Sequence, residues 1–226
     1  MSDRSEVATY KRKMEMRNSI CQNVDQNYNC SVSQELIKAY SQWIQQYIDN
    51  YGWNPFLMTF MFKPLKGRQE AIMQQMNDEV DRVYSTFITR VVRKPNSVYQ
   101  RYLYSRPLLI AVPDRPVPKH AKQRLKDVTI NDGRHMHGIL VVPWDCRLKQ
   151  DVVSHFDKFR QLYVKNRLLQ INIKPIHCDL GGVVDYAFKS IKNRKFDCDD
   201  VLIFPKAEAE LRARRRSKMP TVKGAS

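Results

Sequence analysis

Two histidines separated by one residue, His135 and His137, open the apolar run RHMHGILVV, which has the composition of a β-strand. Side chains two residues apart on a strand point to the same face, so both imidazoles project together while Met136 turns to the other side. Burying two unpaired imidazoles is costly, and neutral imidazole is the commonest metal-binding side chain. An H-x-H pair also occurs by accident. Gly138, however, leaves room for close approach, and a strand flanked by a turn and by basic segments favours a shared divalent ion.

A second pair, Tyr186 and Lys189, lies in the segment DYAFKSIK, which has helical character. Residues three apart on a helix share a face, so the phenol and the ammonium can address one phosphate group. A phenol with a pKa of about 10 is a poor nucleophile unless its oxygen is deprotonated or its target is polarised. A metal ion on the phosphate provides that polarisation, and the lysine can balance charge on the leaving oxygen. Taken alone, such a pair is more often a half-buried tyrosine at a helix edge beside a solvated lysine.

The formal charge of the 226-residue chain is +16. Such a charge makes polyanions the expected partners, nucleic acid first and an anionic membrane surface second. The five cysteines are odd in number and form no CxxC pair, which argues against a disulfide framework and a zinc ribbon. We find no apolar stretch suited to a signal peptide or a membrane span, and we expect a cytoplasmic protein with no membrane partner.

The elements that must position these residues follow from hydrophobic periodicity. A polar arm (1–30) precedes an amphipathic helix that starts near Ser31. Thereafter the order is strand, helix, strand, strand, helix (about 151–164), strand and helix. The last helix is expected to start near Val183 after a Gly181-Gly182 turn. We predict an α+β fold, with a ferredoxin-like or RRM-like βαββαβ antiparallel sheet, helices packed on it, an N-terminal helix and a basic C-terminal tail (206–226). In that arrangement the strands FLMTFMF and RHMHGILVV are central.

With these motifs in this order, the chain resembles the HUH endonuclease superfamily in its single-tyrosine, rolling-circle replication-initiator branch. FLMTFMF looks like the first motif of that family, RHMHGILVVP like its His-hydrophobe-His motif and DYAFKSIK like its Y-x-x-K motif. The resemblance covers roughly residues 54–205, and we assign an HUH-type nuclease domain to 31–205. Histidines that precede the tyrosine are similar to the order in replication initiators and transposases.

The resemblance implies an enzyme that nicks and joins single-stranded or melted DNA. Tyr186 would attack the DNA to give a 5′-phosphotyrosine and a free 3′-hydroxyl, with Lys189 assisting. His135 and His137 would hold a divalent ion together with a third polar ligand. Mn²⁺ or Mg²⁺ suits two histidines with oxygen ligands better than a structural zinc does.

The third ligand is the point at which the chain departs from the family pattern. Initiators usually carry it, often as Glu, on the strand just before the histidines. Asp114, which follows the strand predicted over Pro107–Val112, is in the likeliest place, but a long proline- and lysine-rich insertion separates it from the histidines. Asp127 and His177 are the alternatives, whereas His120 and His155 are expected on the surface or on a helix face.

Several basic residues are candidates for contact with the DNA backbone. Each can equally be a solvated or structural cation, and the Arg212–Arg216 run favours nonspecific attraction over a defined site. The candidates are Arg134, Lys192, Arg214 and Arg215.

Other functions fit parts of the pattern. A noncatalytic RRM-like module is expected to carry stacking aromatics on its central strands, where this chain has His-Met-His. A metal-independent ribonuclease would use both histidines as acid and base but leaves Tyr186 without a role.

No GxxxxGK[ST] motif is present, so we expect no nucleotide cofactor and infer that a host helicase does any unwinding. Plasmid or phage replication is the first biological role considered, and a transposase-like role is the second.

Overall fold

The computed structural model describes residues 31–95, 106–115 and 131–206. Its helices are α1 (Ser31–Tyr51), α2 (Gln69–Val91), α3 (Val152–Lys158), α4 (Arg160–Tyr163), α5 (Leu180–Ala187) and α6 (Lys189–Lys192). Its strands are β1 (Asn54–Phe62), β2 (Leu108–Asp114), β3 (His135–Val142), β4 (Leu168–Pro175) and β5 (Leu202–Phe204). Two short 3₁₀ turns cover Asn131–Gly133 and Cys198–Asp200.

The five strands form one antiparallel sheet in the order β4-β1-β3-β2-β5. The predicted α+β class and the internal positions of β1 and β3 are therefore confirmed. The strand β5 was not predicted; it has three residues between the Cys198–Asp200 turn and Pro205. So short a strand shows no alternation, and its pairing with β2 is a tertiary contact that local sequence does not encode.

Alternation along β1 separates the core side of the sheet from its other side. Phe56, Met58, Phe60 and Phe62 are buried, whereas the residues between them are half-buried or exposed. Side chains alternate between faces along a strand, so one face of β1 enters the core and the other stays accessible. The helix α2 contributes a buried apolar stripe to the same core cluster.

The helices α5 and α6 contact β3 and β2, and α1 packs against both helices. The ring of Phe188, fully buried, lies 5.0 Å from that of Tyr40 on α1. This aromatic contact fixes α1 over the junction of α5 and α6.

The predicted last helix is wrong in two details. It begins at Leu180, where Asp179 accepts a hydrogen bond from the Gly182 backbone N–H at 2.9 Å, so the two glycines lie in its first turn. It is also interrupted, because Phe188 (φ −90°, ψ 5°) separates α5 from α6. The helix predicted over residues 151–164 is likewise divided at Phe159. No helix among the described residues is long and apolar enough to cross a membrane.

Candidate metal centre

The pairing of β2 with β3 brings three predicted ligands together. Asp114 is directly opposite His135, and Val112 is opposite His137. Opposed residues share a face of the sheet, as do residues two apart on one strand, so the carboxylate and both imidazoles point the same way. They form the one group of three His, Cys, Asp or Glu side chains with metal-binding geometry among the described residues.

The spacing of the three donor atoms fits a single ion. Nε2 of His135 and Nε2 of His137 are 3.1 Å apart. Oδ2 of Asp114 lies 3.0 Å from the first nitrogen and 3.3 Å from the second. When metal–ligand bonds of about 2.1 Å meet at ligand–metal–ligand angles of about 90–105°, neighbouring ligand atoms lie about 3.0–3.3 Å apart. The three residues therefore fit one face of a metal coordination sphere.

Hydrogen bonds at the Nδ1 nitrogens orient both imidazole rings. Nδ1 of His135 lies 2.9 Å from the carbonyl oxygen of Gly133, which can only accept, so Nδ1 is the donor there and Nε2 is the ring nitrogen left to face an ion. Nδ1 of His137 lies 3.3 Å from the Thr59 hydroxyl, which can accept in the same way. Burial lowers the pKa of His137, and this outweighs the opposing effect of Asp114. A neutral ring is the form that binds a metal.

Asp114 is an ionised carboxylate inside the protein, with no exposed surface. Burial acts to raise its pKa, but hydrogen bonds outweigh burial and hold the pKa of the carboxyl well below its usual range. The groups that lower it are His135, His137, Lys189 and Ser190. This arrangement provides a fixed negative charge for a cation.

Tyr186 and Lys189 flank the three ligands. The Tyr186 ring is 47% exposed, and its centroid lies 4.9 Å from that of His137. The ammonium of Lys189 is 4.3 Å from the Tyr186 ring centroid and 2.8 Å from Oδ2 of Asp114. The two side chains still share a face, although the helix is interrupted between them. The phenol thus stands at the solvent edge of the cluster, where a substrate can reach it.

The structure separates the three candidates for the third ligand. Asp114 joins the histidines, His177 is exposed and outside the group, and Asp127 lies outside the described residues. The long insertion does not displace Asp114, because the strand it ends pairs directly with β3.

Of the four basic candidates the structure describes Arg134 and Lys192, whose side chains pair with residues outside the metal ligands. Arg134 is buried, and its guanidinium donates to the Gln69 side chain at 3.4 Å, at the start of α2. Lys192 pairs with Asp185 at 2.7 Å on the protein surface. Arg214 and Arg215 lie outside the described residues.

Two sequence interpretations need correction. Gly138 was expected to leave room beside the histidines, but a Cβ there would meet Leu109 at 3.0 Å and Phe60 at 3.2 Å, so its missing side chain serves core packing. His155 was expected on a helix surface, but it is buried, with Nε2 2.7 Å from the Tyr163 hydroxyl. A histidine that finds one fixed partner is compatible with the core, and helical spacing alone does not reveal that partner.

Two supporting residues, Thr59 and Ser190, were not identified from sequence. Thr59 lies opposite His137 on the neighbouring strand. Ser190 donates a hydrogen bond to Oδ1 of Asp114. Only the position of Ser190 directly after Lys189 could have drawn attention to it, and its partner became known only through the tertiary structure.

Comparison with protein-family models, with curated proteins and with solved structures finds no match to this chain.

Proposed function

We propose that this protein is a metal-dependent enzyme that nicks and rejoins single-stranded DNA through a covalent bond to Tyr186. The observation that carries the proposal is the exposed phenol beside the ring of His137, with one lysine ammonium in contact with both the phenol ring and Asp114. A nucleophile, a cation and a set of metal ligands then act on the same phosphate. The net charge of +16 supports a polyanionic substrate.

The proposed reaction is a phosphodiester exchange. The Tyr186 oxygen attacks the phosphorus, the new O–P bond forms, and the bond from phosphorus to the 3′-oxygen breaks. The phenol loses a proton and the 3′-oxygen gains one, so the exchange consumes neither water nor ATP. Lys189 balances the negative charge that develops on the leaving 3′-oxygen. Mn²⁺ or Mg²⁺ held by His135, His137 and Asp114 would polarise the phosphate as a Lewis acid.

The fold type, the superfamily and the biological role are part of the same proposal. Antiparallel neighbours in the order β4-β1-β3-β2 support a ferredoxin-like arrangement, with β5 as an addition at the β2 edge. Together with the His-x-His and Y-x-x-K motifs, this order supports a place among the HUH endonucleases. We assign plasmid or phage rolling-circle replication as the first biological role and a transposase-like reaction as the second.

The sheet surface argues against a noncatalytic RRM-like reader. The half-exposed or exposed side chains in the middle of β1 are Leu57, Thr59 and Met61, whereas its phenylalanines are buried. An RRM-type reader requires aromatic rings on that exposed face for base stacking. The ribonuclease alternative is also weakened, since both imidazole Nε2 atoms face one carboxylate rather than two sides of a substrate.

The test is formation of a covalent protein–DNA adduct. The protein and its Tyr186→Phe variant are incubated with a diverse pool of labelled single-stranded DNA, in Mn²⁺ or in EDTA, and resolved under denaturing conditions. We expect an adduct with wild type in Mn²⁺ only, and none with the Phe variant in either. Tyr51→Phe is the matched control, because Tyr51 is also partly exposed (39%) but lies at the end of α1. An adduct of normal yield from the Tyr186 variant would exclude this nucleophile.

A further inference from the structure

The short helix α6 contacts both oxygens of the candidate ligand Asp114. Lys189 approaches Oδ2, the oxygen that faces the two histidines, at 2.8 Å. The hydroxyl of Ser190, the next residue, donates to Oδ1. Ser190 is 1% exposed and Asp114 is fully buried, so water does not compete for the contact between them.

The direction of the Ser190 hydrogen bond follows from its neighbours. The serine hydroxyl donates to Oδ1 of Asp114, because a carboxylate oxygen accepts. The backbone N–H of Arg115 in turn donates to the serine oxygen at 3.1 Å. With both its donor and an acceptor site engaged, the hydroxyl has a defined orientation between β2 and α6.

We propose that Ser190 is a positioning residue for the metal centre. The terminal torsion of an aspartate is broad and roughly two-fold, so the carboxylate is free to rotate unless another group holds it. Ser190 holds Oδ1 away from the histidines and thereby presents Oδ2 to their Nε2 atoms. Because Ser190 lies on the helix that carries Lys189, it also ties the ligand strand to the proposed catalytic segment. The link to catalysis rests on the proposed function, whereas the effect on metal binding does not.

Metal affinity is the direct measure of this role. Hydrogen-bond partners of metal ligands typically change metal affinity by about 10- to 100-fold when removed. We therefore expect Ser190→Ala to raise the Kd for Mn²⁺ by about tenfold or more. Ser190→Thr keeps the hydroxyl and is expected to bind Mn²⁺ more tightly than Ser190→Ala.

The experiment measures Mn²⁺ binding by isothermal titration calorimetry and by the electron paramagnetic resonance signal of free Mn²⁺. Ser85→Ala, an exposed serine in the middle of α2, is the matched control and is expected to bind as wild type. Thermal unfolding in EDTA reports whether each variant folds. Ser190→Cys keeps the volume but donates weakly, so it replaces Ser190→Ala if that variant does not fold.

Nicking at increasing Mn²⁺ separates positioning from a merely structural role. We expect the Ser190→Ala rate to recover to within about threefold of wild type once Mn²⁺ exceeds the raised Kd, because the defect lies in metal binding. A folded Ala or Cys variant with wild-type Mn²⁺ affinity would overturn the inference and leave the proposed function intact. A large loss of affinity in a protein whose wild type forms no DNA adduct would support the inference and refute the proposed function. A wild-type protein that binds no Mn²⁺ would refute both.

Discussion

A divalent ion held by the three candidate ligands would compete with Lys189 for one oxygen of Asp114. The ammonium is 2.8 Å from Oδ2, the atom that also faces Nε2 of His135 and of His137. Replacing Lys189 with Met keeps an unbranched side chain but removes the charge. We predict that Lys189→Met binds Mn²⁺ more tightly than wild type, although it nicks DNA more slowly.

The size of the effect follows from the distances. An ion bonded to Oδ2 at about 2.1 Å lies at most about 4.9 Å from an ammonium that keeps its present contact. A double and a single positive charge at that separation repel by about 7 kcal/mol at an effective dielectric constant of about 20. The Lys189 side chain is 28% exposed, so it can move towards solvent instead. Metal binding then costs only the lost charge-assisted contact, about 1–2 kcal/mol.

A cost of that size corresponds to about a tenfold change in affinity, since about 1.4 kcal/mol is a factor of ten. We expect calorimetric titration of Lys189→Met with Mn²⁺ to give a Kd about tenfold lower than that of wild type. Lys192→Met is the matched control, because it removes the same charge from an exposed pair with Asp185. Adduct formation is measured on the same samples and is expected to fall for Lys189→Met alone.

The proposed competition is refuted if Lys189→Met and Lys192→Met change the Kd for Mn²⁺ equally, because the change would then come from long-range charge alone. It also fails if Lys189→Met binds Mn²⁺ more weakly than wild type. That result would mean that the ammonium orients Asp114 for the ion rather than competing with it.

Two further predictions concern the core. Gly138→Ala is expected to lower the free energy of unfolding by about 1–3 kcal/mol through overpacking against Leu109 and Phe60. Urea denaturation measures this loss, and Mn²⁺ affinity should stay unchanged; a stable variant with weakened Mn²⁺ binding would place Gly138 in the site. Burial raises the pKa of Tyr163 above its usual value of about 10, so the free energy of unfolding falls as the pH rises above about 10, where the unfolded chain loses this proton and the folded chain keeps it. Tyr163→Phe is expected to lose about 1–3 kcal/mol at pH 7, because His155 loses its buried partner, and to show a shallower alkaline decline. Equal alkaline slopes for the two proteins in urea denaturation would contradict the assignment.

The parts of the structure that were predictable depend on short-range pattern. Strand alternation placed His135 and His137 on one face without any tertiary information, and helical spacing placed Tyr186 and Lys189 together. Alternating strands and amphipathic helices likewise gave the α+β class. Each of these inferences uses a period that the backbone imposes on neighbouring residues.

The parts that were not predictable depend on contacts between distant segments. Ser190 reaches Asp114 across 76 positions of sequence, and β5 exists as a strand through its pairing with β2. The interruption at Phe188 accompanies a ring buried against Tyr40, a contact between two helices far apart in the chain. No local period records such partners, so the supporting hydrogen bonds of a site are harder to find than its primary ligands.

Strand register explains how the third ligand reaches the histidines despite the insertion. The strands β2 and β3 pair from Leu108 opposite Val141 to Asp114 opposite His135, so the position of Asp114 is set by the whole strand pair. A loop between paired strands can lengthen without moving them, because the free energy of closing it grows only slowly with length. A shift of register by one residue, in contrast, would turn Asp114 to the other face and remove the carboxylate from both imidazoles. The buried apolar residues of β2 oppose that shift, so the same packing that stabilises the sheet also fixes the geometry of the candidate metal centre.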